Sequence, residues 1–170
     1  VFFFVSACMG LWYFCIFQAS RAGQQYSDGP AHDVLLWLRL SSAVAAFLPW
    51  LIWLMREVLV SRINGITGVF RHALPGFFIS AAIALLTFTE HYIPSDSTPT
   101  NPQRGNGYYL YAASIALSFI FLLGSTAKSI RQHTGAKRIE LQILVLNTVS
   151  ACLVIAVATA LSRILEVRWI

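Results

Sequence analysis

Apolar residues fall into five long runs along the chain, and short polar connections separate them. A helix needs about 20 predominantly apolar residues to cross the hydrocarbon core of a bilayer, and each run is of that order. The pattern therefore predicts an all-α protein, a polytopic membrane helical bundle with about five transmembrane helices in a single domain over residues 1–170. The predicted spans are approximately 1–18, 34–60, 76–93, 107–127 and 139–163.

The overall composition agrees with a membrane protein. Hydrophobic residues make up 57% of the chain and charged residues 11%, whereas typical soluble domains have about 45–50% and about 25%. Lys and Arg outnumber Asp and Glu by 12 to 7. These basic residues lie mainly between apolar runs, where they set membrane topology, so no nucleic-acid partner is expected. The expected partners are the lipid bilayer and other membrane helices or subunits.

The connections between the runs predict the orientation of the chain. The connections at 56–75 and 128–138 together hold seven Lys or Arg residues, whereas those at 19–33 and 94–106 hold two. Short loops rich in Lys and Arg remain on the cytoplasmic side of a membrane. The two basic connections are therefore predicted to be cytoplasmic, and the chain is predicted to start inside and end outside.

Kinks or turns that interrupt the helices are expected at a few positions along the chain. Pro49 lies inside the second run, where it lacks a backbone N–H and its ring clashes with the carbonyl four residues earlier, so a kink is predicted there. Asn64-Gly65-Ile66-Thr67-Gly68 predicts a break in the connection after the second run, and Thr134-Gly135 predicts a tight turn between the fourth and fifth runs.

Two of the ionisable residues in the apolar runs, Arg39 and Glu90, are candidates for a functional site. An isolated charge in the centre of a membrane helix costs about 2.5–3.5 kcal/mol on insertion scales, so each one needs a partner or a function. Arg39 lies near the outer end of the second run, and Glu90 lies near the outer end of the third. At about 1.5 Å per residue, both lie within about 5–8 Å of the outer boundary. The sequence therefore predicts that they are close enough to pair.

Aromatic and titratable residues surround this pair, and two interpretations remain open. An outward-facing pocket with a cation, a carboxylate, an imidazole and several aromatic rings would bind a small amphiphilic or anionic ligand. In the other interpretation, Arg39 extends to the interface and the Trp and Tyr residues form an ordinary interfacial belt. The candidate ligand-binding residues are Trp37, Arg39, Glu90, His91, Tyr108, Tyr109 and Tyr111.

The sequence contains no motif of a common enzyme class. It has no HExxH, no Gly-rich phosphate loop, no GxSxG and no CxxC pair. Cys8, Cys15 and Cys152 fall in apolar runs and have no zinc-site spacing. The four histidines are scattered over connections and run ends. We therefore expect a protein that is not an enzyme and that has neither a metal site nor a cofactor.

Several short segments lie within the apolar runs and at their ends, in an order similar to that of one known family. They are Leu11-Trp12-Tyr13 with Ala19 and Ala22, Trp37-Leu38-Arg39-Leu40 with Pro49, Gly107-Tyr108-Tyr109-Leu110, the basic stretch 131–138, and Glu140-Leu141-Gln142. In these features the chain resembles the N-terminal seven-helix membrane sensor region of bacterial histidine kinases and related signalling proteins. The chain matches the second to the sixth helix of that region.

This resemblance implies a membrane-embedded signal-input module in a bacterial inner membrane, without the output domain. The chain opens with valine, and both ends lie in apolar sequence, so we expect a segment of a larger bundle. The alternative is a non-enzymatic structural or accessory subunit of a larger bioenergetic or photosynthetic complex. In that case the twelve Phe, five Trp and six Tyr would pack against partner helices, lipids or pigments.

Overall fold

The computed structural model describes residues 1–25, 32–60, 66–97 and 103–166. Within these ranges the chain is helical with no β-strand, so the predicted all-α class is confirmed. The described ranges leave out 26–31, 61–65 and 98–102, which are parts of the predicted connections 19–33, 56–75 and 94–106, and the side chains of 154–166. The helices are α1 (Phe2–Gln25), α2 (His32–Ala45), α3 (Leu48–Val60), α4 (Ile66–Leu86), α5 (Asn106–Gln132) and α6 (Ala136–Glu166).

Three stretches of the described chain have the length and apolar composition needed to cross a membrane. They are Phe3–Ala22, Asp33–Val60 and Asn106–Gln132, and a shorter apolar helix covers Leu74–Leu86. These stretches correspond to the first, second and fourth predicted spans. They indicate an integral membrane protein, while the number of five spans stays a prediction.

Val1–Leu122 forms the first of two structural units. In this unit α1 packs against α2 and α3, and α4 packs against the same two helices. Small side chains form part of the contact, because Ala43, Ala46 and Ala84 make a buried cluster against which Phe47 and Tyr111 pack. Small residues let helix backbones approach closely, which is the usual way in which membrane helices associate.

The second predicted span consists of two helices. α2 ends at Ala45 and α3 begins at Leu48, with the Phe47 amide bonded to the Val44 carbonyl at 3.1 Å. A continuous helix would place the ring of Pro49 against the carbonyl of Ala45, four residues earlier. The interruption therefore occurs where Pro49 predicts it.

Helix α4 differs from the sequence prediction, which placed a connection at 56–75 and a span at 76–93. The helix covers Ile66–Leu86 and contains Pro75. A proline inside a helix removes one backbone hydrogen bond, and here the helix continues on both sides of it. Residues 87–97 form turns, so the end of the predicted third span lies outside the helix.

The second unit, Leu123–Ile170, contains the end of α5 and all of α6. Residues 133–135 connect the two helices, and Gly135 has a φ of 64°, a left-handed conformation that glycine adopts at little cost. This is the tight turn that Thr134-Gly135 predicts. The buried side chains of this unit include Thr126, Ser129, Leu141, Leu144 and Thr148.

Candidate functional site

The turn segment 87–97 is held against the start of α5 by backbone hydrogen bonds. The amide of Gly107 donates to the carbonyl of His91 at 2.8 Å, and the amide of Gly105 donates to that of Tyr92 at 3.1 Å. The approach is close, because a Cβ at Gly105 would lie 2.0 Å from the His91 carbonyl oxygen. Glycine is therefore required at this position for the two backbones to meet.

Ser42 on α2 connects this segment to the helices. The hydroxyl of Tyr92 donates to Ser42 Oγ at 2.7 Å, and the hydroxyl of Tyr111 donates to the Ser42 carbonyl at 2.8 Å. Thr87 contributes a third link, since its hydroxyl donates to the Arg39 carbonyl at 3.1 Å. We call this group the Ser42 cluster. Its members are Arg39, Ser42, Thr87, Tyr92, Ile93, Tyr108 and Tyr111.

Aromatic rings pack around the hydrogen bonds of the Ser42 cluster. The centroid of the Tyr92 ring lies 5.2 Å from that of Tyr111 and 5.7 Å from that of Tyr108. The Arg104 guanidinium carbon lies 4.7 Å from the centroid of the Tyr108 ring, which is a cation–π geometry. Tyr92 is only 3% exposed. The cluster therefore has a packed aromatic centre and a cation at its edge.

Arg39 brings a charged group into the Ser42 cluster. Its Nη2 donates to the carbonyl of Ile93, and its side chain is half-buried. Its Nε is buried and has no hydrogen-bond partner among the described residues. Leaving a buried donor unsatisfied costs about 1–3 kcal/mol. The Nε of Arg39 is therefore a donor that one further acceptor would satisfy.

The structure does not form the predicted pair between Arg39 and Glu90. In the described part of the chain, the ion pair is between the neighbours Arg56 and Glu57. α4 ends at Leu86, so Glu90 belongs to a turn, where its side chain is exposed. A backbone carbonyl takes the place that the sequence assigned to the carboxylate.

The other predicted site residues divide into three groups. Tyr108 and Tyr111 join Arg39 in the Ser42 cluster, and His91 is exposed beside it, in the same turn segment as Glu90. Trp37 packs edge-to-face on Phe14 of α1, with ring centroids 5.9 Å apart. Tyr109 is 64% exposed. The structure thus brings three of the seven predicted residues into one cluster.

Sequence reasoning did not select four members of the Ser42 cluster, namely Ser42, Thr87, Tyr92 and Ile93. Ile93 contributes a backbone carbonyl, which every residue has, so no sequence signal identifies it. Ser42 contributes its backbone carbonyl and also its Oγ, which accepts from Tyr92. Tyr92 directly follows His91, and its aromatic type was the one available signal.

No protein-family model, curated protein or solved structure matches this chain. Within the described ranges, no group of three or more His, Cys, Asp or Glu residues is placed to hold a metal ion.

The hydrogen bond of Tyr111 can be tested by removing its hydroxyl. Tyr111→Phe should lower the free energy of unfolding by about 0.6–1.5 kcal/mol, because the bond to the Ser42 carbonyl is lost. Tyr109→Phe is the matched control, since Tyr109 is exposed and its variant should be within about 0.5 kcal/mol of the wild type. Unfolding by sodium dodecyl sulfate in mixed micelles measures both. Equal losses in the two variants would contradict the role of Tyr111.

Proposed function

We propose that the chain is a membrane-embedded signal-input module, a sensor or receptor bundle of the kind that the resemblance to the histidine kinase sensor region implies. The Ser42 cluster is the observation that supports this function most. Its hydrogen bonds join α2, the turn segment 87–97 and α5. A change at this end of the bundle therefore acts on three elements together.

The proposed membrane arrangement follows from the charges of the connections. The basic connections at 56–75 and 128–138 lie on the cytoplasmic side of a bacterial inner membrane, and the chain crosses that membrane five times. In this arrangement the Ser42 cluster lies at the outer face. A ligand would reach it from outside the cell without crossing the bilayer.

The proposed ligand is a small anionic or amphiphilic molecule. Its anionic group would accept a hydrogen bond from the buried Nε of Arg39, which has no partner in the described part of the chain. Its apolar part would contact the ring of Tyr108, which already packs on Tyr92. Glu90 and His91 are exposed beside the cluster. Their side chains would discriminate between ligands that carry different charged groups.

Signal transmission requires two arrangements of the helices, of which the ligand binds one more tightly. The interruption between α2 and α3 provides a place where the two arrangements can differ. Arg39 and Ser42 lie on α2, within two helical turns of this interruption. Binding at Arg39 would therefore change the angle between α2 and α3.

Hydrogen–deuterium exchange of the full chain in phosphatidylcholine vesicles tests this proposal. The probes are acetate, inorganic phosphate and decanoate, which represent small, multiply charged and amphiphilic anions. At about ten times its dissociation constant, an effective probe should slow exchange at the Gly105 and Gly107 amides about tenfold, because it disfavours local opening. Arg39→Gln should abolish this effect.

Arg21→Gln is the matched control for Arg39→Gln. Arg21 is an exposed residue near the end of α1, and its replacement removes the same charge without touching the Ser42 cluster. This variant should respond to the effective probe as the wild type does. Exchange that no probe changes, or an equal response in Arg39→Gln, would contradict the ligand site.

The alternative function is a structural or accessory subunit of a larger membrane complex. One observation favours it, because α1 exposes the large aromatic side chains Phe3, Phe4 and Phe17, which are able to pack against partner helices. The two functions predict different partners, namely a small ligand for the signal-input module and other protein chains for the subunit. An assembly of fixed stoichiometry after extraction in mild detergent, together with no response to the three probes, would favour the subunit.

A further inference from the structure

A cavity of about 440 Å³ lies among α3, α4 and α5 in the first unit. Its volume is within the range of about 300–1,000 Å³ that is typical of ligand pockets. The cavity shares no residue with the Ser42 cluster. Its lining includes Trp50, Trp53, Arg71, Ile79, Ser118 and Phe121.

The open side of the cavity is apolar. Ile79 on α4 is 61% exposed and Phe121 on α5 is 69% exposed, and α5 is one of the helices long and apolar enough to cross a membrane. In a bilayer, such side chains face hydrocarbon. A molecule would therefore enter the cavity from the lipid.

One end of the cavity is cationic. Arg71, Pro75 and Ile79 are spaced four residues apart on α4 and so lie on one face of the helix. Ile79 is about 12 Å along the helix axis from Arg71. The lining contains no carboxylate, and no carboxylate of the described residues pairs with Arg71. The cavity thus combines, at one end, a cation that no described carboxylate neutralises with an apolar surface beyond it.

Trp50 and Trp53 form the α3 wall of the cavity. They are three residues apart and therefore lie on the same side of that helix. Tryptophan concentrates at the level of lipid headgroups, where its ring contacts acyl chains and its N–H remains near polar groups. This wall suits a molecule that has an acyl chain next to a polar head.

We propose that the cavity binds one anionic phospholipid from the surrounding bilayer. The phosphate of the lipid contacts Arg71, and its acyl chain lies along Ile79 and Phe121 against the tryptophan wall. This inference goes beyond the signal-input function and does not depend on it. In the arrangement proposed above, the part of α4 that carries Arg71 lies on the cytoplasmic side, so the lipid comes from the inner leaflet, where anionic lipids attract Lys and Arg.

Photo-crosslinking of the wild-type chain in phosphatidylcholine vesicles tests the proposal. Phosphatidylglycerol or phosphatidylcholine with a diazirine on one acyl chain is added in equal small amounts, and mass spectrometry measures labelling of peptides that contain Ile79 or Phe121. Phosphatidylglycerol should label them about fivefold more than phosphatidylcholine, the ratio that corresponds to about 1 kcal/mol for one Arg near an anionic headgroup.

Substitutions of the cation separate a specific contact from general attraction to the protein's positive charge. Arg71→Gln should reduce the preference for phosphatidylglycerol to about one, and Arg71→Lys should keep most of it, because Lys still presents a charge to phosphate. Arg131→Gln removes the same charge from an exposed residue at the end of α5 that does not line the cavity. It should leave the preference unchanged.

Filling the cavity gives an independent measurement. Ser118→Phe places a large ring in the cavity and should reduce labelling of both peptides by phosphatidylglycerol. Ser114→Phe is the matched control. Ser114 does not line the cavity, and each of the two serine hydroxyls donates at 2.8 Å to the carbonyl four residues earlier. The control should retain wild-type labelling.

Three results would overturn the proposal. The first is equal labelling by the two phospholipids in the wild type. The second is a preference for phosphatidylglycerol that survives both Arg71→Gln and Ser118→Phe. The third is stronger labelling of the same peptides by a diazirine fatty acid than by phosphatidylglycerol at equal amounts, which would identify a free carboxylate as the ligand group.

Discussion

Gly105→Ala should destabilise the protein by about 1–3 kcal/mol, the usual cost of forcing extra atoms into a closely packed position. The new Cβ would lie 2.0 Å from the carbonyl oxygen of His91 and 2.7 Å from its carbonyl carbon. Both atoms belong to the backbone, so no side-chain rotation relieves the clash. The start of α5 must move away from the turn segment 87–97, and the backbone bonds between Gly105 and Tyr92 and between Gly107 and His91 would weaken.

Gly124→Ala provides the control for this prediction. Gly124 lies within α5, and a Cβ there would meet no heavy atom within 4 Å. Alanine is favoured over glycine in a helix by about 0.8–1.0 kcal/mol, so this variant should be as stable as the wild type or more stable. Unfolding in mixed micelles compares the two. A Gly105→Ala protein with wild-type stability would show that the close approach between the two backbones is not required.

Gly76→Ala should also cost about 1–3 kcal/mol, because it overfills the contact between α3 and α4. A Cβ at Gly76 would lie 2.3 Å from Cδ1 of the Trp50 ring. The ring packs against two neighbouring aromatic rings, since its centroid is 5.5 Å from that of Phe77 and 6.3 Å from that of Phe47, and a shift away from Gly76 would disturb these contacts. Displacement of the Trp50 ring would therefore disturb the packing of both α3 and α4.

A double-mutant cycle identifies Trp50 as the cause of this loss. In a Trp50→Ala background the clashing ring is absent, so Gly76→Ala should be neutral or slightly stabilising through helix propensity. The expected coupling between the two positions is therefore about 1–3 kcal/mol, within the range measured for residues in contact. Additive losses in the double variant would contradict the contact.

The two prolines show how far local sequence determines helix boundaries. Pro49 and Pro75 have the same missing N–H and the same ring, and the sequence predicted a kink at Pro49. The chain stops its helix before Pro49, whereas α4 continues through Pro75. The apolar pattern predicted where helices occur. Whether a helix tolerates its proline depends on contacts with other helices, which the local sequence does not contain.

In the Ser42 cluster too, the sequence predicted some features and could not predict others. Arg39, Tyr108 and Tyr111 were predictable because charged and aromatic side chains near the end of an apolar run require polar surroundings. The partner of Arg39 was not predictable, since the acceptor is the Ile93 carbonyl and not the carboxylate of Glu90. The difference arises because α4 ends at Leu86, before the predicted end of the span, and places Glu90 in a turn.

The interruption between α2 and α3 affects how this part of the chain fits a bilayer. The apolar stretch Asp33–Val60 has 28 residues, so a straight helix would be about 42 Å long, which exceeds a hydrocarbon core of about 30 Å. A straight helix would have to tilt along its whole length. Two helices separated by an interruption can accommodate the excess length by a change in the angle between them. Thicker or thinner membranes would then change the angle between α2 and α3 and move the half that includes Arg39 and Ser42.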